Sequence, residues 1–279
     1  MPSASSLRGR PTLNLHHRVL QTLLMRVRPA PVASLLKRLL GLRRVTVETA
    51  QGWFKVDPVS LMGIALTRSG GYEEGMTATL KTFLKPGHTF VDLGANEGYF
   101  TVIGAKLCGP SGRVLAIEPQ QRLLPVIEEN IRLNGVGNTK VLNVAISDQS
   151  GTATLNLTSD TNSGGSGLYR HTKYKLPTQE IATQTLEQVL IAQGLNHVDL
   201  LKVDIEGFEY EAVLGSPRVF QQQRVKALVL ELHPTILADR GKSAGDIERM
   251  LEQAGYRLTE TFGNTVWIAD DGSNSELVR

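Results

Sequence analysis

The chain has 279 residues, 41% hydrophobic and 20% charged, which is enough for a large core and too apolar for wholesale disorder. That length fits one α/β-sized domain of about 200–250 residues plus an appendage. A single cysteine, Cys108, excludes an internal disulfide and any paired-cysteine zinc framework, and no apolar run reaches the roughly 20 residues a membrane span needs. The expectation is a soluble, cytoplasmic protein.

The net charge of +3 is unevenly spread. Residues 1–44 hold nine bases and no acid, while the rest carries 21 bases and 27 acids and is mildly acidic. Nucleic-acid binding would need a basic stripe on the folded body, so no nucleic-acid partner is expected. Within this arm, Leu20, Leu23, Leu24 and Val27 share one helix face, and Leu35, Leu36, Leu39 and Leu40 form a second stripe beside Lys37 and Arg38. The reading is a basic amphipathic arm over 1–44, ahead of a domain over 45–279. A helix packed on that domain with solvated charges, or a mobile tail, is the favoured role, with peripheral membrane contact or a targeting presequence as alternatives.

From Thr89 onward, short apolar runs alternate with helical stretches, the pattern of a doubly wound parallel sheet. Strands are expected at Thr89–Leu93, Arg113–Glu118, Thr139–Ala145, Val198–Asp204 and Lys226–His233. Helices are expected near Tyr99–Leu107, Arg122–Leu133, Leu186–Gln193, Glu209–Leu214 and Ala244–Ala254. Ser159–Gly167 reads as a mobile Gly/Ser loop near the site. The chain ends on two strand-like runs, Tyr256–Phe262 and Thr265–Ala269, joined by Gly263-Asn264. That tight hairpin turns the last strand antiparallel, which separates a class I methyltransferase (Rossmann-like) α/β sheet from an ordinary dinucleotide-binding one.

Val91-Asp92-Leu93-Gly94-Ala95-Asn96-Glu97-Gly98 follows the first strand of that sheet and opens a helix. Gly94 and Gly98 would let the backbone approach a ligand. Asn96 breaks the GxGxxG spelling that a diphosphate requires. Glu118 lies 24 residues beyond Gly94, the interval at which an acid meets a ribose diol. A phosphate-free adenosyl cofactor, S-adenosylmethionine, satisfies both observations, with Asp92 near its ammonium. Asp148, after the third strand, is assigned to the adenine edge, with a plain turn aspartate as the alternative.

These residues resemble the FkbM family of S-adenosylmethionine-dependent methyltransferases. The resemblance rests on Val91–Thr101, Ala116–Pro119, Glu129–Gly135, Ala145–Asp148, Leu200–Glu209 and Leu230–Pro234. Gly71-Tyr72-Glu73 and Leu84-Lys85-Pro86-Gly87 extend it, so that it covers roughly residues 70–235. One departure is Glu187 after Leu186, where relatives usually carry aspartate. The resemblance adds Glu73 and Pro119 to the cofactor contacts. It implies methyl transfer to a hydroxyl, since the family's known substrates are mostly sugars and polyketide-like natural products.

The chemical end of the site is read from strand alternation. If extension persists past Asp204, then Asp204 and Glu206 project to one side, and Glu231 and His233 share a face of the next strand. These four are the candidate catalytic residues, with His233 or Glu206 as base and Asp204 orienting the acceptor. Lys202 either supplies a positive charge or buries its stem and snorkels, and Glu209 reads as a solvated helix residue. Hard carboxylate oxygens admit a divalent ion, but their spacing favours none. The expected partner is a small hydroxylated acceptor, held by Gly70–Glu74 and Thr158–Pro177 with Tyr169, Arg170, His171, Lys173 and Tyr174. The alternatives are a nicotinamide oxidoreductase and a non-catalytic cofactor-binding partner protein. RNA methylation is disfavoured by the acidic body.

Overall fold

The computed structural model describes residues 37, 39–158, 165–169 and 176–270. The Leu20–Val27 stripe, Leu35, Leu36 and the loop residues 170–175 lie outside them, as do residues 159–164. The chain divides into two compact units after Tyr72.

The first unit is a hairpin and a helix. Strands β1 (Val45–Thr49) and β2 (Gly52–Val56) pair antiparallel. Thr49 stabilises their turn, its Oγ1 accepting from the amides of Gln51 and Gly52. Helix α1 (Leu61–Arg68) begins where the Ser60 hydroxyl accepts from the Gly63 amide. The buried Asp57 carboxylate pairs with Lys37. Leu39 and Leu40 are exposed.

The second unit opens with α2 (Glu74–Phe83) and then alternates as expected: β3 (Thr89–Leu93), α3 (Tyr99–Cys108), β4 (Arg113–Ile117), α4 (Leu124–Leu133) and β5 (Thr139–Leu142). Three short strands follow, β6 (Ala145–Ile146), β7 (Gly151–Asn156) and β8 (Thr178–Gln184), and form a separate sheet in the order β6-β8-β7. The chain then runs through α5 (Leu186–Ala192), β9 (Val198–Val203), α6 (Glu209–Leu214), α7 (Pro217–Gln221) and β10 (Val225–Leu230). It closes with α8 (Pro234–Asp239), α9 (Ala244–Gln253), β11 (Tyr256–Thr261) and β12 (Asn264–Ala269).

The main sheet has seven strands in the order β11-β12-β10-β9-β3-β4-β5. Five neighbouring strands pair in parallel and β12 runs antiparallel to both of its neighbours, so β11 shares the direction of those five. Runs such as VDLLKV and VKALVL are apolar without alternation because helices cover both faces of a parallel sheet, and their residues are almost all buried. The order reverses between β3 and β9, and ligands of such sheets bind outside the carboxyl ends of the strands at that reversal.

Three expectations are corrected. The third strand stops at Leu142, because the Asn143 amide turns aside to donate to the Glu118 and Pro119 carbonyls at 2.9 Å. Ala145 and Ile146 then join the small sheet through β8. The fifth strand stops at Leu230, so Glu231 and His233 are not strand neighbours; Pro234 at the first helical position makes His233 the residue that precedes α8. The hairpin turn is Phe262-Gly263, one residue early, with φ of 51° and 79°. Asn264 is instead committed to α2, donating to Thr79 Oγ1 at 3.0 Å.

Candidate active site

The tips of β3, β4, β9 and β10 gather most of the residues that the sequence selects. Gly94 has φ +81°, and a Cβ there would sit 1.9 Å from the Asp204 carbonyl oxygen. The missing Cβ therefore lets the turn after β3 touch the backbone that follows β9. Gly98 is also left-handed and heads α3, against Ile127 of α4.

Asn96 takes a left-handed φ of 50°, which turns its amide onto Glu118. Glu118 is buried; one carboxylate oxygen accepts from Asn96 N at 2.8 Å and the other from Gln120 N at 2.9 Å. Burial nevertheless pushes this carboxyl up to about 7 against those two donors. The Gln120 side chain bonds it as well, so of the roughly four acceptor positions of a carboxylate about one remains open. Pro119 follows at the strand tip, its carbonyl held by Asn143 and Gln179.

Asp92 and Lys202 lie side by side on adjacent strands, in register, and both are buried. Asp92 Oδ2 accepts from Thr101 Oγ1 at 2.6 Å, while Oδ1 has no hydrogen-bond partner and lies 3.7 Å from Lys202 Nζ. Burial raises the Asp92 carboxyl above the usual range, with the Lys202 ammonium opposing. Lys202 does not snorkel. Its ammonium lies inside the protein, 3.3 Å from Asp204 Oδ2 and 5.7 Å from the centre of the Phe100 ring. Burial alone would lower the Lys202 pKa, but Asp204 and Asp92 together hold it above its ordinary value.

Past Asp204 the chain does not stay extended, because Glu206 is left-handed at φ 53°. Asp204, Glu206 and His233 meet all the same, with one ligand-capable atom of each within 4.8 Å of the others. His233 Nε2 lies 3.6 Å from Glu206 Oε2, and Nδ1 lies 2.9 Å from Glu209 Oε1. Glu209 is fully buried rather than solvated, and the same Oε1 accepts from Gly207 N at 3.0 Å. It thus ties the loop to the imidazole. That hydrogen bond is the main reason the His233 pKa rises to about 9, against the burial that would lower it. Burial pushes Glu206 up to about 7, with His233 opposing and Asp204 reinforcing.

Some expected residues sit elsewhere or at the margin. Glu231 lies beyond β10, its amide bonded to the Val203 carbonyl, and burial, Asp204 and Glu73 all raise its carboxyl. Glu73 precedes α2 with a left-handed φ of 42°. Asp148 is not with the others; it is exposed in the turn after β6, where a Cβ on Gly215 would meet it, and its Oδ1 accepts from Ser147. The cause is the early end of β5, which carries the chain off the main sheet.

Sequence reading missed Arg240. Its guanidinium stacks over the Phe208 ring at 3.7 Å, bonds the Gly207 carbonyl and pairs with Glu211 at 2.6 Å, clamping the loop that presents Glu206. No local pattern could show this, because its partners lie about thirty residues away in the chain.

A seven-stranded, mostly parallel sheet closed by an antiparallel hairpin, with acids at the strand tips, defines a class I methyltransferase fold. The Methyltransferase FkbM domain model matches residues 92–258, and the chain belongs to that family. Methyltransferase sdnD of Sordaria araneosa is 28% identical over 215 residues, covering 66% of this chain and 78% of that protein. The solved methyltransferase FkbM of Methylobacillus flagellatus is similar at 15% identity and TM-score 0.44; the match covers 90% of this chain and 58% of that one. Aeropyrum pernix fibrillarin, solved with S-adenosyl-L-methionine, is similar at 13% identity and TM-score 0.38, covering 69% and 72% of the two chains. Among the described residues, no helix is long and apolar enough to cross a membrane.

Proposed function

We propose that this methyltransferase uses S-adenosylmethionine to methylate a hydroxyl of a sugar, glycolipid or secondary metabolite. The observation that carries the reading is the Glu206–His233–Glu209 chain beside Asp204 at the strand tips.

The residues fit this cofactor. Glu118 keeps acceptor capacity for a ribose hydroxyl, and Asp92 presents a buried carboxylate oxygen, 3.7 Å from Lys202 and without a hydrogen bond, in an acid-rich cleft that suits a cation. Lys202, the one buried lysine or arginine among the described residues, is committed to Asp92 and Asp204 and does not suit a pyrophosphate. Glu118, Asp92 and Glu73 would hold the cofactor. When bound, it supplies an electrophilic methyl group on a sulfonium that departs as a neutral thioether.

The chain's own residues then have to place the acceptor and take its proton. An alcohol is almost un-ionised at neutral pH, so a positioned base contributes roughly 10²–10⁴ in rate. Glu206 is that base: near pH 7 it is poised between its two forms and can accept the hydroxyl proton. His233 is protonated at that pH and holds Glu206 in place, with its own orientation fixed by Glu209. Asp204, held by Lys202, orients the acceptor; alignment of this kind contributes roughly 7–11 kcal/mol in favourable cases.

The test is incubation of the purified chain with methyl-labelled S-adenosylmethionine and pools of hydroxylated metabolites. Label appearing on oxygen in a base-stable ether supports the reading. Label confined to nitrogen, or to base-labile esters, contradicts it.

A further inference from the structure

A cavity of about 780 Å³ opens beside the strand tips, between α2, the end of β10, α9 and the β11–β12 turn. Glu231 lines it and links it to the catalytic end of the site: its amide bonds the Val203 carbonyl one residue before Asp204, and its carboxyl feels the Asp204 charge. Its walls are fixed. A Cβ on Gly75 of α2 would lie 2.4 Å from the Phe262 carbonyl oxygen, so helix and turn are in direct backbone contact. Thr79 of α2 also donates to the Thr261 carbonyl at 3.1 Å and accepts from Asn264.

The chemistry of the lining is one-sided. Three carboxylates, Glu73, Glu231 and Glu248, face the cavity, and none of its lining residues is basic. Arg240 is engaged with Glu211 and Arg249 with Asp246. Phe262 stands on the turn, 62% exposed, and places an aromatic side chain in the cavity's lining. A cation over such a ring is attracted by its quadrupole. An anionic acceptor would be repelled here, and a neutral one would leave the carboxylates uncompensated.

We propose that this cavity is the acceptor site and that it selects a hydroxylated acceptor bearing an ammonium group, held by Glu231, Glu248 and the Phe262 ring. The raised Glu231 carboxyl agrees, since burial, Asp204 and Glu73 all disfavour its charge until a cation arrives. The inference rests on the methyltransferase reading only for what happens to the bound molecule. It also moves the acceptor away from the Thr158–Pro177 segment, of which Gly167 reaches the site, where a Cβ would lie 3.3 Å from the Glu206 carbonyl.

Three probes that share one ring and differ in charge test it: benzylamine, benzyl alcohol and benzoate. They are titrated by NMR into the full chain saturated with S-adenosylhomocysteine. Benzylamine is expected to shift the amides of Glu231 and of residues 262–265, with a Kd at least tenfold below that of benzyl alcohol and no saturable benzoate binding. Glu248→Gln and Phe262→Ala, checked for folding by circular dichroism, should each weaken benzylamine at least threefold. Equal or tighter binding of the alcohol or benzoate overturns the proposal, as does benzylamine leaving those amides unmoved. Failure of S-adenosylhomocysteine to bind would instead defeat the methyltransferase reading.

Discussion

Lys202→Met removes one charge from the centre of the sheet and keeps most of the apolar stem. In the wild type, the ammonium lies 3.3 Å from Asp204 and 3.7 Å from Asp92, and only 2% of the lysine side chain is exposed. The variant leaves Asp92 buried with one oxygen already lacking a hydrogen-bond partner, and leaves it facing a second carboxylate. Breaking a buried ion pair by removing one partner costs about 3–5 kcal/mol. A second route gives a similar figure: protonating an ordinary aspartate at pH 7 costs about 4 kcal/mol, from roughly three pKa units at 1.36 kcal/mol each. Urea denaturation at pH 7, followed by tryptophan fluorescence, should therefore show a loss of about 3–5 kcal/mol. Adding Asp92→Asn should recover about half of it, because the uncompensated charge is then gone. A single-variant loss under about 1 kcal/mol, the range of exposed ion pairs, would refute the reasoning.

Three further outcomes follow from the same geometry. Glu118→Gln cannot accept from both backbone amides and loses its charge toward the diol; charged hydrogen bonds contribute about 1.5–3 kcal/mol, so S-adenosylhomocysteine should bind roughly 10–150-fold more weakly by calorimetry, and a change under threefold contradicts the assignment. The pH profile of kcat/KM should rise through about 7 as Glu206 loses its proton and fall through about 9 as His233 does. Glu209→Gln removes the anion that holds the imidazole proton and should move the alkaline limb down by at least one unit; an unmoved limb contradicts the positioning role. Asp204→Asn should lower kcat with little change in cofactor affinity, and activity within threefold of wild type contradicts its part in orienting the acceptor.

Much of the sheet was readable because a buried parallel strand leaves a plain mark, a short apolar run that ends at a glycine or an acid. The apolar run Thr89–Leu93 coincides with β3 to the residue, and the runs for β9 and β10 differ from the strands only at their ends. Alternation says nothing about where a strand stops. Asn143 leaves the sheet through its side-chain hydrogen bonds, and Pro234 starts a helix where extension was assumed. Strand β8, TQEIATQ, alternates in burial and could have been read, but its polar half-face resembles loop composition.

The site was legible by residue and not by geometry. Asp204, Glu206 and His233 do meet, through a left-handed Glu206 rather than the continued strand that alternation suggests. Glu209 and Arg240 were hidden for a different reason. A charged side chain on a short helix looks solvated until a tertiary partner is known, and theirs are His233 and the Gly207 carbonyl.

The central claim is that a phosphate-free adenosyl sulfonium binds at the β3–β4 tips beside Glu118. Calorimetry of the purified chain with S-adenosylhomocysteine and, separately, with NAD tests it most directly. One saturable site for S-adenosylhomocysteine and no heat with NAD is the predicted result; saturation by NAD with none by S-adenosylhomocysteine would contradict it.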